Sequence, residues 1–186
     1  MRAPRTAKGF TLIEMMVAVV IVLLLLLQGV PAYTQFLRNS EIRSTAEAIA
    51  NGVRVARSEA TRRNTPVTFT FTPGGGDPSW AVNQFDTVAV ALIQPPIQKY
   101  AKNEAGANSQ VTIAPANAIS VTFNGIGRVM SPPPVGTPNL QQIDVNSKVA
   151  GEARTMRVYV DDVNGIRTCD PSATLKTAAP NDARAC

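Results

Sequence analysis

A chain of 186 residues with 45% apolar side chains is the size of one ordinary domain. It holds no histidine, which excludes imidazole-assisted serine or cysteine catalysis and histidine-bearing zinc sites; no spacing of Asp and Glu picks out a catalytic pair, so neither enzyme activity nor a cofactor or metal is expected. The net charge of +5 includes three cations in the first nine residues; without them 15 Lys and Arg face 13 acids, leaving +2, too little to point by itself to nucleic acid.

The first nine residues, MRAPRTAKG, carry Arg2, Arg5 and Lys8 and no acid. From Phe10 to Leu27 the only polar side chains are Thr11 and Glu14, and at ~1.5 Å per residue the run reaches about 27 Å, close to the ~30 Å hydrocarbon core of a bilayer. One membrane-spanning helix over residues 10–31 is therefore expected. By the positive-inside rule the basic flank keeps the N-terminus cytoplasmic and sends the rest of the chain outward. A cleaved secretory signal is the competing reading; it requires a small-x-small site after the apolar run, and QGVPAY offers a poor one. Glu14 is out of place in either case. A carboxylate at the centre of such a helix costs roughly 2.5–3.5 kcal/mol, so it calls for a partner.

Gly29 and Pro31 follow, and proline removes a backbone donor and clashes with the preceding turn, so a kink or a locally melted turn is expected there. Beyond it Ile42, Ala46, Ile49, Val53, Ala56 and Ala60 recur at alternating steps of four and three, the pattern of an amphipathic helix over residues 32–64. Arg43, Glu47, Arg54, Arg57, Glu59, Arg62 and Arg63 fall mainly off that stripe and read as its solvated side. Asn64, with Pro66 two residues on, ends the helix. Apart from the interruption, Phe10 to Arg63 reads as one nearly continuous helix.

Residues 65–186 read as sheet. Val67 to Phe71 (VTFTF) alternates with period two, and Trp80–Phe85, Val88–Ile93, Gln110–Ile113, Ile119–Phe123, Gly127–Met130, Leu140–Val145, Thr155–Val160 and Gly165–Thr168 are further candidate strands. Short spacings and turn signals favour antiparallel pairing, with TPGGGDP, NEAGANSQ and SPPPVGTP as loops. In an exported domain the two cysteines, Cys169 and Cys186, are expected to form a disulfide that ties the C-terminal segment to the fold.

The hexapeptide Gly9-Phe10-Thr11-Leu12-Ile13-Glu14, after a short basic leader and before an apolar run, resembles the class III signal of type IV pilins and type II secretion pseudopilins. ARSEATRRNTPV (56–67), FNGIGRV, RTMRVYV and NGIRTCDP with a closing RAC resemble the branch that holds the pseudopilin H proteins and the FimT and FimU minor pilins. The resemblance implies an α+β pilin fold, a long helix packed on an antiparallel sheet domain. It implies a leader 1–9 cut after Gly9 by a prepilin peptidase, N-methylation of Phe10, and an assembly role for Glu14, paired with the N-terminal amine of a neighbouring subunit. The implied location is the bacterial inner membrane, single-pass with a periplasmic C-terminal domain, and then the filament; the implied partners are other minor and major pilins or pseudopilins. The implied function is that of a non-enzymatic minor pilin that helps to prime or cap a type IV pilus, with the minor pseudopilin H of type II secretion as the alternative. A third reading, a FimT-like DNA-binding pilin, rests on a GRxR run near the C-terminal hairpin. Here that tetrapeptide is Asn164-Gly165-Ile166-Arg167, in which the last Arg alone matches, leaving Arg154, Arg157 and Arg167, with Arg184, as candidate DNA contacts.

Overall fold

The computed structural model describes residues 9–72, 76, 78–101, 108–134, 136–149, 154–162, 165–172, 177 and 184–186, residue 28 by its backbone alone. The leader through Lys8, most of the TPGGGDP and NEAGANSQ loops, and Asn164 lie outside them. The chain divides into two compact units, Met1–Leu37 and Arg38–Cys186.

One helix, α1 (Leu12–Arg63), runs for 52 residues. It starts two residues later than the sequence suggests because Thr11 caps it: Thr11 Oγ1 accepts the Glu14 N–H at 3.3 Å, and the Thr11 carbonyl accepts the Met15 N–H at 3.2 Å. The melted turn expected at Gly29 and Pro31 does not occur, and Pro31 lies inside the helix. Proline deletes a single donor, the flanking turns keep theirs, and Thr34 Oγ1 donates to the Pro31 carbonyl at 2.9 Å. In the first unit every described side chain from Gly9 to Leu37 is exposed, Leu27 to 74% and Phe10 to 79%.

In the second unit the stripe of period 3.6 is buried as its spacing predicts: Ile42, Ala46, Ile49, Val53, Ala56 and Ala60 all belong to the core. Small residues on this face let the sheet come close, and at Gly52 the fit leaves no room, for a Cβ there would lie 2.7 Å from Trp80 Cη2. The helix ends in a left-handed turn at Asn64 (φ 51°), with Thr65 N–H donating to the Ala60 carbonyl and Asn64 N–H to that of Thr61. This is the Schellman arrangement, and Asn is among the few residues that adopt it cheaply.

Among the described residues nine strands follow: β1 Val67–Phe71, β2 Trp80–Asp86, β3 Ala91–Leu92, β4 Gln98–Tyr100, β5 Ser109–Ala114, β6 Ser120–Phe123, β7 Gln142–Ser147, β8 Met156–Asp161 and β9 Gly165–Cys169. They form two antiparallel sheets, β3-β2-β1-β6 with β4 also on β2, and β5-β7-β8-β9. Val67 sits between Gln84 and Phe123 in the first sheet; Asp144 faces Arg157 in the second. Side chains from α1 and from both sheets make one core cluster, in which Phe69 lies 5.4 Å from Trp80 and Tyr100 stacks on Trp80 at 5.6 Å.

Two expected strands fail for local reasons. Val88–Ile93 is mostly turn, because Asp86 Oδ1 accepts the Val88 and Ala89 N–H groups and Val90 sits at φ 52°, leaving two paired residues. Gly127–Met130 is reduced to a bridge between Phe123 and Val129, since Asn124 Oδ1 collects the N–H groups of Ile126 and Arg128 and Gly127 turns at φ 76°. The three-residue β4, flanked by prolines and charges, carries no strand pattern and was not expected.

Candidate functional site

The processing and assembly residues form the N-terminal edge of α1. Gly9, Phe10 and Thr11 precede the helix, and Glu14 lies in its first turn, where the unpaired N–H groups favour a negative charge. A Cβ on Gly9 would meet nothing within 4 Å, so the fold of the chain itself does not demand glycine there. Among the described residues α1 is the one helix long and apolar enough to cross a membrane. Its first half finds no apolar partner among the described residues.

The candidate DNA contacts gather on the second sheet. Arg157 and Arg167 lie 5.8 and 5.4 Å from the centre of the Tyr159 ring, because Tyr159 faces Arg167 across β8 and β9. Arg157 is also committed to Asp144, with bonds of 2.6 and 2.9 Å, and that carboxylate holds its guanidinium still more firmly protonated. Arg154 is exposed, 3.9 Å from Asp170. Arg154, Arg157 and Arg167 against Asp144 and Asp170 leave a surplus of one positive charge, a weak footing for a polyanion. Arg184 contributes backbone: its carbonyl accepts the Asp170 N–H at 2.6 Å.

Beside that contact Cys169 and Cys186 form a disulfide, their Cα atoms 5.4 Å apart, and Asp170 bridges Ala185 in parallel. Among the described residues no cluster of Cys, Asp and Glu is placed to hold a metal.

A feature missed in the sequence is a basic groove where α1 passes the edge strand β9. It measures about 610 Å³ and is lined by Arg54, Arg57, Ser58, Thr61, Arg62 and Ile166. Arg54 Nη2 donates to the Ile166 carbonyl at 3.4 Å. Nearby cations have carboxylate partners: Arg62 and Arg63 share Glu59, each at 2.7 Å, holding its carboxyl down at about 2, and Arg128 grips Asp162. The Asp162 carboxyl is held below its ordinary range first by the Val129 N–H, then by Arg128, with a lesser pull from Arg57. The signal in the sequence was Arg54 and Arg57 at i, i+3; the approach of β9 to them is tertiary.

The family model described as type II transport protein GspH matches residues 45–163, well over half of the chain. The chain belongs to the GspH family. The prokaryotic N-terminal methylation motif matches residues 4–27 of this GspH-family chain, overlapping the Gly9–Glu14 segment. Crystal structures of the type IV minor pilin FimU from Pseudomonas aeruginosa PAO1 share its fold. One aligns at TM-score 0.56 and 14% identity, covering 75% of this chain and 94% of that one; a second crystal form aligns at 0.51 and 14%, covering 69% and 92%. The solution structure of Escherichia coli GspH gives 0.49 and 15% over 74% and 93%. Among curated proteins none matches significantly. The GspH family is one of structural pilins and pseudopilins rather than enzymes, and its N-methylation motif goes with processing by prepilin peptidase.

Proposed function

We propose that this GspH-family chain is a non-enzymatic filament subunit, a minor pilin that helps to prime or cap a type IV pilus. Residues 1–9 are the leader, cut after Gly9 by a prepilin peptidase that leaves a methylated amine on Phe10; residues 10–31 anchor the chain in the inner membrane; residues 32–64 and 65–186 form its periplasmic part. Glu14 then pairs with the N-terminal amine of a neighbouring subunit.

The observation that carries this reading is the conjunction at the N-terminus. Gly9 has no steric reason to be glycine in the folded chain, whereas a peptidase subsite without room for a side chain would demand it. Directly after it come a carboxylate in the first helical turn and a membrane-length apolar surface that none of the described residues covers. A helix in lipid or among other helices removes that exposure, and a neighbouring amine offsets the cost of burying Glu14. The description of the matching family favours a second reading, a pseudopilin of type II secretion. Deleting the chain separates the two: loss of surface pili with secretion intact supports the first, and the converse the second.

The test of processing is mass spectrometry of the membrane-bound protein. The mature chain should begin at methylated Phe10, and Gly9→Leu should keep its leader while remaining in the membrane. A chain that begins near Pro31 or Ala32, or Gly9→Leu at mature length, overturns the assignment.

A further inference from the structure

The groove between α1 and β9 holds a cation with no hydrogen-bonded counterion among the described residues. The Arg57 guanidinium makes no hydrogen bond or ion pair among the described residues and meets Asp162, which Arg128 holds, only as a longer-range attraction; Arg62 and Arg63 share Glu59, and the one side-chain hydrogen bond of Arg54 among the described residues is the long one to Ile166.

Arg57 is also fixed in place. It is half-buried and lies against two glycines, Gly127 and Gly165, both at φ 76°. A Cβ on Gly127 would lie 3.5 Å from Arg57 Nε, and one on Gly165 would lie 3.7 Å from Nη1. A guanidinium held this way has already lost much of its rotamer freedom, so pairing it costs less than pairing a free surface arginine. Along the same groove β9 is the outer strand of its sheet, and from Gly165 to Thr168 its outer edge pairs with no strand among the described residues. The Ile166 carbonyl on that edge is a free backbone acceptor apart from Arg54.

The surroundings limit what fits. Glu59 and Asp162 stand at the margins, so the positive patch is narrow. Duplex DNA, with a charge every ~1.7 Å, needs a longer track and would meet those acids. A single carboxylate on an extended backbone suits both halves of the site, fork to fork on the guanidiniums and strand to edge on β9.

We propose that this groove is a docking site for an acidic, extended segment of an adjacent filament subunit, whose carboxylate pairs with Arg57 and Arg54 and whose backbone lies along the outer edge of β9. The proposal rests on the filament-subunit reading above and adds the surface and the chemistry of the partner.

The experiment places a photoreactive benzoyl-phenylalanine at the exposed Ser58 of the full-length chain in its own cells and maps the adduct by mass spectrometry. The expected adduct joins Ser58 to an Asp- or Glu-bearing segment of another subunit with an N-methylation motif. It should fall at least tenfold with Arg54→Glu, an exposed position that leaves the core alone, and with Arg57→Ala, and stay unchanged with Arg43→Ala, whose pair with Glu47 lies outside the groove. A nucleic-acid adduct, an adduct insensitive to both groove variants, or no adduct while the protein is present in the filament fraction overturns the proposal and leaves the filament reading standing. Absence of the wild-type chain from the filament fraction refutes the filament reading, and the proposal with it.

Discussion

Replacing Gly52 by alanine tests the packing of α1 on its sheet. The new methyl would sit 2.7, 2.8 and 2.9 Å from Trp80 Cη2, Cζ2 and Cζ3, about 1 Å inside van der Waals contact. Trp80 has nowhere to go: it is 2% exposed, stacked on Tyr100 and wedged against Phe69. Overpacking of this kind costs about 1–3 kcal/mol. Alanine recovers about 1 kcal/mol of helix propensity over glycine, so a net loss of up to about 2 kcal/mol against wild type is expected, and about 1–3 kcal/mol against a glycine-to-alanine change in an open part of the helix. In a unit of this size the loss against wild type lowers the melting temperature by up to roughly 8 °C. Thermal and urea unfolding of the detergent-solubilised chain measure it, with Gly29→Ala as control, since a Cβ there meets nothing within 4 Å. Trp80→Phe removes the three crowded atoms, and Trp80 Nε1 has no hydrogen-bond partner among the described residues to lose. That change should therefore cost less in the Gly52→Ala background than in the wild type. Gly52→Ala as stable as Gly29→Ala, or additive with Trp80→Phe, would refute the reasoning.

Glu14→Ala should insert in the membrane at least as well as wild type, since the burial cost of the acid disappears, yet enter filaments poorly; equal amounts of wild-type and variant protein in sheared filaments would contradict the pairing role. Glu59 is held down at about 2 from an ordinary 4.5 by hydrogen bonds to Arg62 and Arg63, and Asp86 and Asp162 are lowered chiefly by backbone N–H groups. Carboxyls depressed by folding stabilise the protein above their unfolded values, so stability to urea should hold above pH ~5 and decline as pH falls from about 4.5 towards 2; a flat profile there counts against these contacts. Cys186→Ser should lower stability by about 2–5 kcal/mol and expose the 170–185 segment to protease, and two thiols labelled in the unreduced wild-type chain would disprove the bond.

How much was legible in the sequence followed how local the cause was. The stripe from Ile42 to Ala60, the alternation in Val67–Phe71 and the Asn64 stop are written in neighbouring residues, and the structure keeps all three. Val88–Ile93 misled because its β-branched run looks extended, while the Asp86 side chain captures its first amides. At Pro31 the expectation of a melted turn failed, one missing donor being absorbed within a long helix. The candidate arginines on the C-terminal hairpin were found by analogy, but the pairing of Arg157 with Asp144 and of Arg154 with Asp170 depends on register across β7, β8 and β9. The groove at Arg57 was illegible because it needs two turns, near Gly127 and Gly165, brought to one helix from far along the chain.

The bare apolar first half of α1 bears on the direction of assembly. If that helix passes from bilayer to filament core, it moves between two oily solvents of nearly equal quality, and its hydrophobic free energy hardly changes. The greasiest part of the molecule then sets the compartment in which polymerisation occurs, while its sign and order fall to a few polar and interfacial contacts. A polymer poised in this way grows or retracts under a modest mechanical stroke per subunit, because no step strips its anchor bare into water.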